Sequence, residues 1–242
     1  MMLKSERSAL ILKHIEQHGV ARIRDLAVAF QVSEMSIRRD LMELEEAGQV
    51  RRVRGGAVLN KAASPEIQHP PYVRRMAEAA ARLLPGAGVF FLGPGAVTLE
   101  LVPLLMAAPH LTLITNALDI AWRVSQYPQH SLYVLGGEVQ QRFTTDARHL
   151  PGLAIDWAIV EANGLDAARG LMVEHKGIAS VNRAIFKQAT QKMVLVPPER
   201  LGFTAGEFVA PIELLDVLVT GREASTAALW DLSEAGLRFV LA

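Results

Sequence analysis

The 242-residue chain contains no cysteine. Disulfide bonds, thiolate zinc sites and cysteine nucleophiles are therefore excluded, and a reducing cytoplasm is the expected setting. No apolar run in the sequence reaches the roughly 18 residues that a membrane span requires, and the first residues lack the apolar core of a signal peptide. We therefore expect a cytoplasmic protein without a membrane partner.

The chain also lacks an excess of either charge, since 25 lysines and arginines balance 25 aspartates and glutamates. A neutral chain has no general attraction to nucleic acid. Residues 1–60 differ, because they hold 10 basic residues against eight acidic ones. A local basic patch is sufficient for phosphate contacts. The full length far exceeds one small DNA-binding module, which predicts a second domain.

The segment from Val32 to Leu41 has the pattern of a DNA-recognition helix. Ser33 is suited to accept a backbone N–H at the helix N-cap, and Ile37, Leu41 and Leu44 recur at the spacing of one buried helical stripe. The outer face near the start of such a helix approaches the major groove of DNA. The candidate DNA-binding residues on it are Ser33, Met35, Ser36, Arg38 and Arg39.

Two shorter helices precede this segment, because apolar residues recur at helical spacing from Ile11 to Ile15 and again from Ile23 to Phe30. Three short helices with a tight turn before the third make a helix-turn-helix. After them, residues 49–54 alternate with the strand period and meet Gly55–Gly56, a tight-turn signal. This pattern predicts a two-stranded wing whose arginines contact the DNA backbone or the minor groove. They are Arg51, Arg52 and Arg54.

On periodicity alone, a plain helical subdomain with a solvated charged face fits equally well. From Arg7 through Val58, however, the sequence resembles the DNA-binding domain of DeoR-type bacterial repressors. The matching signature positions are Arg7, Ile11, Ile15, Ser33, Ser36, Ile37, Arg38, Arg39, Asp40 and Leu41, followed by residues 51–58. Ser36 stands where the family has Thr, so it keeps the hydroxyl and loses a methyl that can contact thymine. We expect Asp40 to orient a neighbouring arginine, because an acid facing phosphate would repel it.

A stretch of small residues and prolines at 61–71 predicts a linker, since neither helix nor sheet accommodates it. The predicted domains are a winged helix-turn-helix at 1–60 and a larger domain at 72–242. Short apolar runs alternate with helical segments in the larger domain, at Val89–Leu92, Leu111–Thr115, Ser131–Leu135, Trp157–Glu161, Met193–Val196 and Val217–Thr220. Strands that are apolar throughout predict an open, Rossmann-like α/β fold with a parallel sheet covered on both faces.

Ligands of such sheets lie beyond the carboxyl ends of the strands, where turns and helix N-termini gather. Four turns of this chain follow successive predicted strands, which favours a pocket there. The candidate effector-binding residues in these turns are Gly93, Gly95, Ala96, Thr98, Thr115, Asn116, Gly136, Gly137, Glu138, Asn163 and Asp166.

The larger domain resembles the DeoR-type effector domain, which is similar to the sugar-phosphate isomerase and CoA-transferase superfamily. The resemblance implies a homo-oligomer, dimer or tetramer, that represses a carbohydrate or related operon and senses a small anionic metabolite, typically a sugar phosphate. Two motifs depart from the family. The loop Asp-x-Gly-Thr-Thr is replaced by Gly93, Gly95, Ala96 and Val97 before Thr98, and Ser-Lys-Phe-Gly is replaced by residues 199–202, which keep a cation at Arg200. Arg200 completes the set of candidate effector-binding residues.

Two other functions compete with this interpretation. An enzyme of the isomerase or deaminase type could use Glu138, Glu161 or Asp166 as a general base, but no positioned acid–base pair is evident, so we expect no enzyme. A metal sensor could use His14 and His18, which are spaced i, i+4. No third ligand lies near them in sequence, so we expect neither a metal nor a cofactor.

Overall fold

A computed structural model of the protein describes residues 4–18, 20–46, 49–53, 55–59, 69–140, 142–146, 152–204 and 206–242. The chain divides into two compact units, Met1–Gln68 and His69–Ala242. We refer to them as the N-terminal unit and the C-terminal unit. Each has its own apolar core.

The N-terminal unit contains three helices and three short strands. In chain order they are α1 (Lys4–His18), β1 (Val20–Arg22), α2 (Ile23–Ala29), α3 (Glu34–Glu46), β2 (Val50–Val53) and β3 (Gly56–Leu59). The strands form an antiparallel sheet in the order β1-β3-β2. The apolar stripe predicted for the third helix is buried, together with Ile11 and Ile15 of α1. The helix-turn-helix and the hairpin after it are confirmed. Strand β1 was not predicted, because a strand of three residues is too short to show a period.

The turn between β2 and β3 depends on two glycines with different roles. Gly55 has a φ of 88°, a left-handed conformation that side chains with a Cβ rarely adopt. A Cβ on Gly56 would lie 2.2 Å from the carbonyl oxygen of Ala21. Gly56 therefore allows β3 to approach β1 closely, and this approach closes the three-stranded sheet.

A buried ion pair joins the first and third helices. Arg7 Nε donates to Asp40 Oδ2 at 2.6 Å, and Arg7 Nη2 donates to Asp40 Oδ1 at 3.1 Å. The hydrogen bond to Asp40 raises the pKa of the Arg7 guanidinium, although its partial burial opposes the shift. The Asp40 side chain is 1% exposed, so it faces the protein and orients an arginine, as the sequence predicts. The pair fixes α3 against α1.

Removing one partner of this pair should destabilise the N-terminal unit strongly. We expect Asp40→Ala to lower the free energy of unfolding by about 3–5 kcal/mol, because it leaves a guanidinium partly buried without its counter-charge. Hydrogen exchange of the α3 amides measures this loss in the full-length protein. The control Glu34→Ala breaks the exposed pair with Arg38 and should cost no more than about 1 kcal/mol. An Asp40→Ala protein as stable as that control would contradict the assignment.

The C-terminal unit alternates strands with helices. Its helices are α4 (Pro71–Ala81), α5 (Ala96–Leu105), α6 (Leu118–Val124), α7 (Lys176–Phe186) and α8 (Thr226–Glu234), with short 3₁₀ turns at Pro198–Arg200 and Ile212–Leu214. Its strands are β4 (Val89–Leu92), β5 (Thr112–Thr115), β6 (Ser131–Val134), β7 (Val139–Gln140), β8 (Phe143–Thr144), β9 (Ile155–Glu161), β10 (Gly164–Asp166), β11 (Gly170–Val173), β12 (Ala189–Leu195), β13 (Glu207–Ala210), β14 (Val217–Thr220) and β15 (Phe239–Leu241).

Seven of these strands form one parallel sheet in the order β15-β14-β12-β9-β4-β5-β6. Successive residues of the central strands enter opposite apolar cores: Phe91 lies in one, and Phe90 and Leu92 lie in the other. Both faces of the sheet are therefore covered, which explains the apolar runs within its strands. The predicted α/β fold is confirmed.

Three features of this unit have no counterpart among the predicted elements. They are the edge strand β15, the antiparallel sheet β10-β11-β13 and the hairpin β7-β8. Each strand involved has two to four residues. Segments this short have no readable period, and only their partners make them strands.

Candidate functional site

The outer face of α3 carries the predicted DNA-binding residues. Ser33 precedes the helix, and its Oγ accepts the N–H of Ser36 at 3.1 Å while lying 3.0 Å from the Ser36 hydroxyl. This is the N-cap bond that the sequence predicts. Met35 is 63% exposed, whereas Ile37 and Leu41 on the other side are fully buried. The helix therefore presents a polar and basic face together with two exposed methionines, Met35 and Met42.

The two arginines of this face differ in their surroundings. Arg38 Nη2 lies 3.6 Å from Glu34 Oε2, one turn earlier, and the side chain stays 57% exposed. Arg39 is also exposed, and within the described residues no acid pairs with it. Exposed ion pairs are weak, so both guanidinium groups are available to an anionic partner.

The wing adds a further basic position. The backbone N–H of Arg52 donates to Glu45 Oε1 at 2.8 Å, and its guanidinium lies 3.8 Å from the other oxygen of that carboxylate. Glu45 thus ties β2 to the end of α3. The backbone of Arg51 pairs with Val58 in the hairpin, and its side chain lies outside what is described. Arg54 lies outside the described residues.

The strand order of the C-terminal unit indicates where a ligand crevice would lie. From β4 the chain continues to β5 and β6 on one side, then returns to β9 on the other side and continues to β12 and β14. The order therefore reverses between β4 and β9. Ligands of open α/β sheets bind beyond the carboxyl ends of the two strands at such a reversal. Here those ends carry Gly93 and Glu161.

The Glu161 carboxylate occupies the N-terminus of α5. Its Oε2 accepts the N–H of Val97 at 2.7 Å, and the N–H groups of Thr98 and Ala96 lie near the same carboxylate. Burial raises the pKa of Glu161, and these three amides act in the opposite direction. A Cβ on Gly95 would lie 2.3 Å from Glu161 Oε2. Only glycine at position 95 therefore leaves room for the carboxylate.

A second polar group lies beside this carboxylate. The Tyr72 hydroxyl donates to Glu199 Oε1 at 2.8 Å. Burial, followed by Glu199 and then Glu161, raises the pKa of Tyr72 to about 12, and Arg200 lowers it, so the hydroxyl stays protonated. Arg200 Nη2 lies 3.8 Å from Glu174 Oε1. An open cavity of about 400 Å³ begins here and is lined by Pro71, Tyr72, Arg75, Pro198, Glu199 and Glu223.

The candidate residues after β5 are buried and hold neighbouring backbone. Thr115 Oγ1 donates to the carbonyl of Leu92 at 2.7 Å, which joins the ends of β5 and β4. Asn116 Nδ2 donates to the carbonyl of Thr144 at 2.8 Å and so fixes the β7-β8 hairpin. Among the described residues, the buried Asn116 Oδ1 has no hydrogen-bond partner. This acceptor oxygen is therefore open to a polar ligand atom.

The other candidate residues have different positions. Gly136, Gly137 and Glu138 follow β6 and are exposed. Asn163 Oδ1 accepts the N–H of Glu174 at 3.1 Å, and Asp166 Oδ1 accepts the N–H groups of Ala168 and Arg169 at 3.0 and 2.9 Å. Both side chains therefore shape the β10-β11 hairpin.

The structure gathers only part of the predicted effector set into one hydrogen-bonded group. Gly93, Gly95, Ala96 and Thr98 lie together, and the Thr98 hydroxyl donates to the carbonyl of Gly95 at 3.0 Å. Tyr72 and Glu161 belong to this region but not to the predicted set. The sequence could have indicated Glu161, because it ends a predicted strand. It could not have indicated Tyr72, because that residue lies in the first turn of a helix.

Neither alternative chemistry gains support from the geometry. The Asp166 carboxylate accepts two backbone N–H groups of a turn, and the Glu161 carboxylate accepts the N–H of Val97. Across the described ranges, no group of three or more His, Asp or Glu side chains could hold a metal ion. Within the same ranges, no helix is long and apolar enough to cross a membrane.

Comparison with known proteins yields two family matches. The model described as the DeoR-like helix-turn-helix domain matches residues 7–63, and the model described as the DeoR C terminal sensor domain matches residues 71–222. The chain is 29% identical to the uncharacterized HTH-type transcriptional regulator FruR of Bacillus subtilis (strain 168), over 93% of this chain and 94% of that protein. It is 27% identical to the HTH-type transcriptional repressor GlcR of the same strain, over 91% and 90%.

The structural similarity to solved proteins is distant. Ribose 5-phosphate isomerase A from Methanocaldococcus jannaschii matches with a TM-score of 0.41 and 16% identity, over 53% of this chain and 52% of that one. A match of this kind says nothing about activity.

An exposed recognition helix with a wing, followed by a separate α/β sensor unit, defines a DNA-binding transcription regulator. The chain belongs to the DeoR family and is a DNA-binding transcriptional repressor of that family. The relatives named above are transcriptional regulators and not enzymes.

The Glu161 carboxyl should make stability depend on pH. Because its pKa is raised in the folded chain, its contribution to stability is fully present below the unfolded-state pKa and is lost as the pH rises through the raised value. Glu161→Gln cannot titrate, so its free energy of unfolding relative to the parent should increase across that window and then level off. Urea denaturation at a series of pH values measures the difference. A difference that stays constant, or that declines with pH, would contradict the assignment.

Proposed function

We propose that this DeoR-family repressor binds operator DNA as a homo-oligomer and that a small metabolite at the carboxyl edge of the seven-stranded sheet alters this binding. Helix α3 lies in the major groove, and the β2-β3 wing contacts the adjacent backbone or minor groove. The protein is located in the bacterial cytoplasm, where it binds operator DNA. The operon concerned is one of carbohydrate or related metabolism.

The arrangement of α3 carries this proposal. The Ser33 cap and the buried Arg7–Asp40 pair hold the helix at both its start and its middle. Its outer face is left with two adjacent exposed arginines and Met35. A rigid helix that offers cations and an apolar contact at its N-terminal half has what base recognition in the major groove requires.

Two observations bear on the metabolite. A relative that is 35% identical over 57% of this chain and 59% of its own length is named the lactose phosphotransferase system repressor of Streptococcus mutans, which supports a sugar-related metabolite. The family resemblance implies a phosphorylated sugar. At the α5 N-terminus that would hold its phosphate, the Val97 amide is hydrogen-bonded to Glu161, which favours a different effector at this position.

Arg38→Ala and Arg39→Ala should each weaken operator binding by about 1–3 kcal/mol if the side chain contacts a guanine edge. If the side chain holds a phosphate instead, binding to all sequences should fall together and the salt dependence should decrease. Fluorescence anisotropy with a selected operator and a scrambled duplex, at several salt concentrations, separates the two cases.

The matched control for these variants is Arg74→Ala, which removes an arginine that is 83% exposed on α4 in the C-terminal unit. It should bind operator like the parent. Both α3 variants binding like the parent at every salt concentration would rule out α3 as the recognition helix.

A homo-oligomer should impose symmetry on the operator. One helix-turn-helix covers few base pairs, so DNA selected by the full-length protein should contain two half-sites with centres about 34–36 Å apart or a multiple of that distance. Selection from a random library followed by sequencing measures the spacing, and analytical ultracentrifugation of the complex gives the subunit count. Selected DNA with a single half-site, bound by one chain, would refute the oligomeric arrangement.

A further inference from the structure

The N-terminus of α5 is occupied by a carboxylate of the protein itself, that of Glu161. A helix N-terminus with free N–H groups ordinarily attracts an anion such as phosphate. Here the Glu161 carboxylate accepts the N–H of Val97 at 2.7 Å, and the neighbouring amides of Ala96 and Thr98 lie close enough to oppose the rise in its pKa. The helix is ten residues long, so its N-terminal amides are those of a full helix and not of a single turn.

The local chain is shaped around this carboxylate. Gly95 stands at the N-cap with no side-chain cap bond of its own, and any larger residue there would overlap Glu161. Val160 and Glu161 end β9, and β9 pairs in register with β4 from Phe90 to Leu92. The pairing therefore delivers the carboxylate to the turn that follows β4. The pairing of β9 with β4 therefore fixes the position of the Glu161 carboxylate at α5.

A phosphate cannot share these donors with Glu161. Each amide has one hydrogen to donate, so phosphate must displace the carboxylate or stand beside it as a second negative charge. The neighbouring side chains add one acid and one cation that is shared with another acid. Glu199 lies at the Tyr72 hydroxyl, and Arg200 is paired with Glu174 and placed 5.7 Å over the ring of Phe203.

We propose that Glu161 sets the charge selectivity of the sensor site: its carboxylate takes the place of a ligand phosphate on the α5 amides, so the site rejects phosphate there. The effector is therefore uncharged or cationic at the end that meets α5. This inference rests on the proposed function, because it takes the carboxyl edge of the sheet as the sensor site. It also implies that restoring Asp, Thr and Thr at positions 93, 96 and 97 does not by itself create a phosphate site while Glu161 remains.

The test compares three full-length proteins in a buffer free of phosphate and sulfate. They are the parent, Glu161→Ala and the control Asp156→Ala. Asp156 lies at the opposite end of the same strand, where its Oδ2 accepts the N–H of Val89 at 2.8 Å, so the control removes an equal charge and a similar bond. Titration with inorganic phosphate is followed by calorimetry and by thermal unfolding.

Glu161→Ala should bind phosphate at least about tenfold more tightly than the parent, because the carboxylate leaves the α5 N-terminus and the Val97 amide becomes available for a charge-assisted bond. Phosphate should also raise its unfolding temperature while leaving the parent and Asp156→Ala unchanged. Equal phosphate binding by the parent and Glu161→Ala would overturn the proposal, and so would a Glu161→Ala protein that folds and gains no binding.

The parent alone supplies a second measurement if Glu161→Ala does not fold. In ¹⁵N-labelled parent protein, the amide signals of Ala96, Val97 and Thr98 should move with pH as Glu161 titrates and should not move with phosphate. Phosphate-dependent shifts of these signals in the parent would refute the proposal. Operator binding is assayed in the same samples. A parent that binds no operator refutes the proposed function, whereas the phosphate comparison still decides the role of Glu161.

Discussion

The C-terminal unit depends on the parallel pairing of β4 with β9. These strands are neighbours in space although four strands separate them along the chain. Their pairing creates the reversal in strand order, brings the two carboxyl ends together and delivers Glu161 to the first turn of α5. A shift of β9 by one residue would turn Glu161 toward the opposite face of the sheet and leave the α5 amides open. The register of one strand pair therefore decides whether a carboxylate lies at the N-terminus of α5.

Both units place an acid away from water and compensate it differently. In the N-terminal unit, Asp40 is paired with a guanidinium, and the pair orients α3 without taking part in its outer face. In the C-terminal unit, Glu161 is compensated by backbone amides, which belong to the very group that a ligand phosphate would use. The first acid makes a surface rigid for recognition. The second acid occupies a helix N-terminus, whose amides can satisfy the protein's own carboxylate or bind a ligand anion.

Much of the N-terminal unit follows from local pattern. The N-cap at Ser33, the buried stripe from Ile37 to Leu44 and the Gly55–Gly56 turn all act within a few residues, so periodicity and turn chemistry predict them. The apolar runs of the C-terminal unit predict six of the seven strands of its sheet for the same reason. The short strands β7, β8, β10, β11 and β13 escape prediction, because segments of two to four residues have no readable period and become extended by pairing with a partner strand.

The contacts of the candidate sensor residues cannot be predicted from local sequence pattern. Sequence by itself determined that glycines and polar residues follow successive strands, since strand ends and turns are local features. It could not tell that Asn163 and Asp166 serve a hairpin, that Thr115 joins two strands, or that Glu161 fills the cradle at Gly95. Only the tertiary fold assigned those roles, because it set the strand order and the distances across the sheet. The hydrogen bond between Glu161 and Val97 joins residues 64 positions apart. The packing of the whole sheet decides such a bond, and the periodicity of neither segment indicates it.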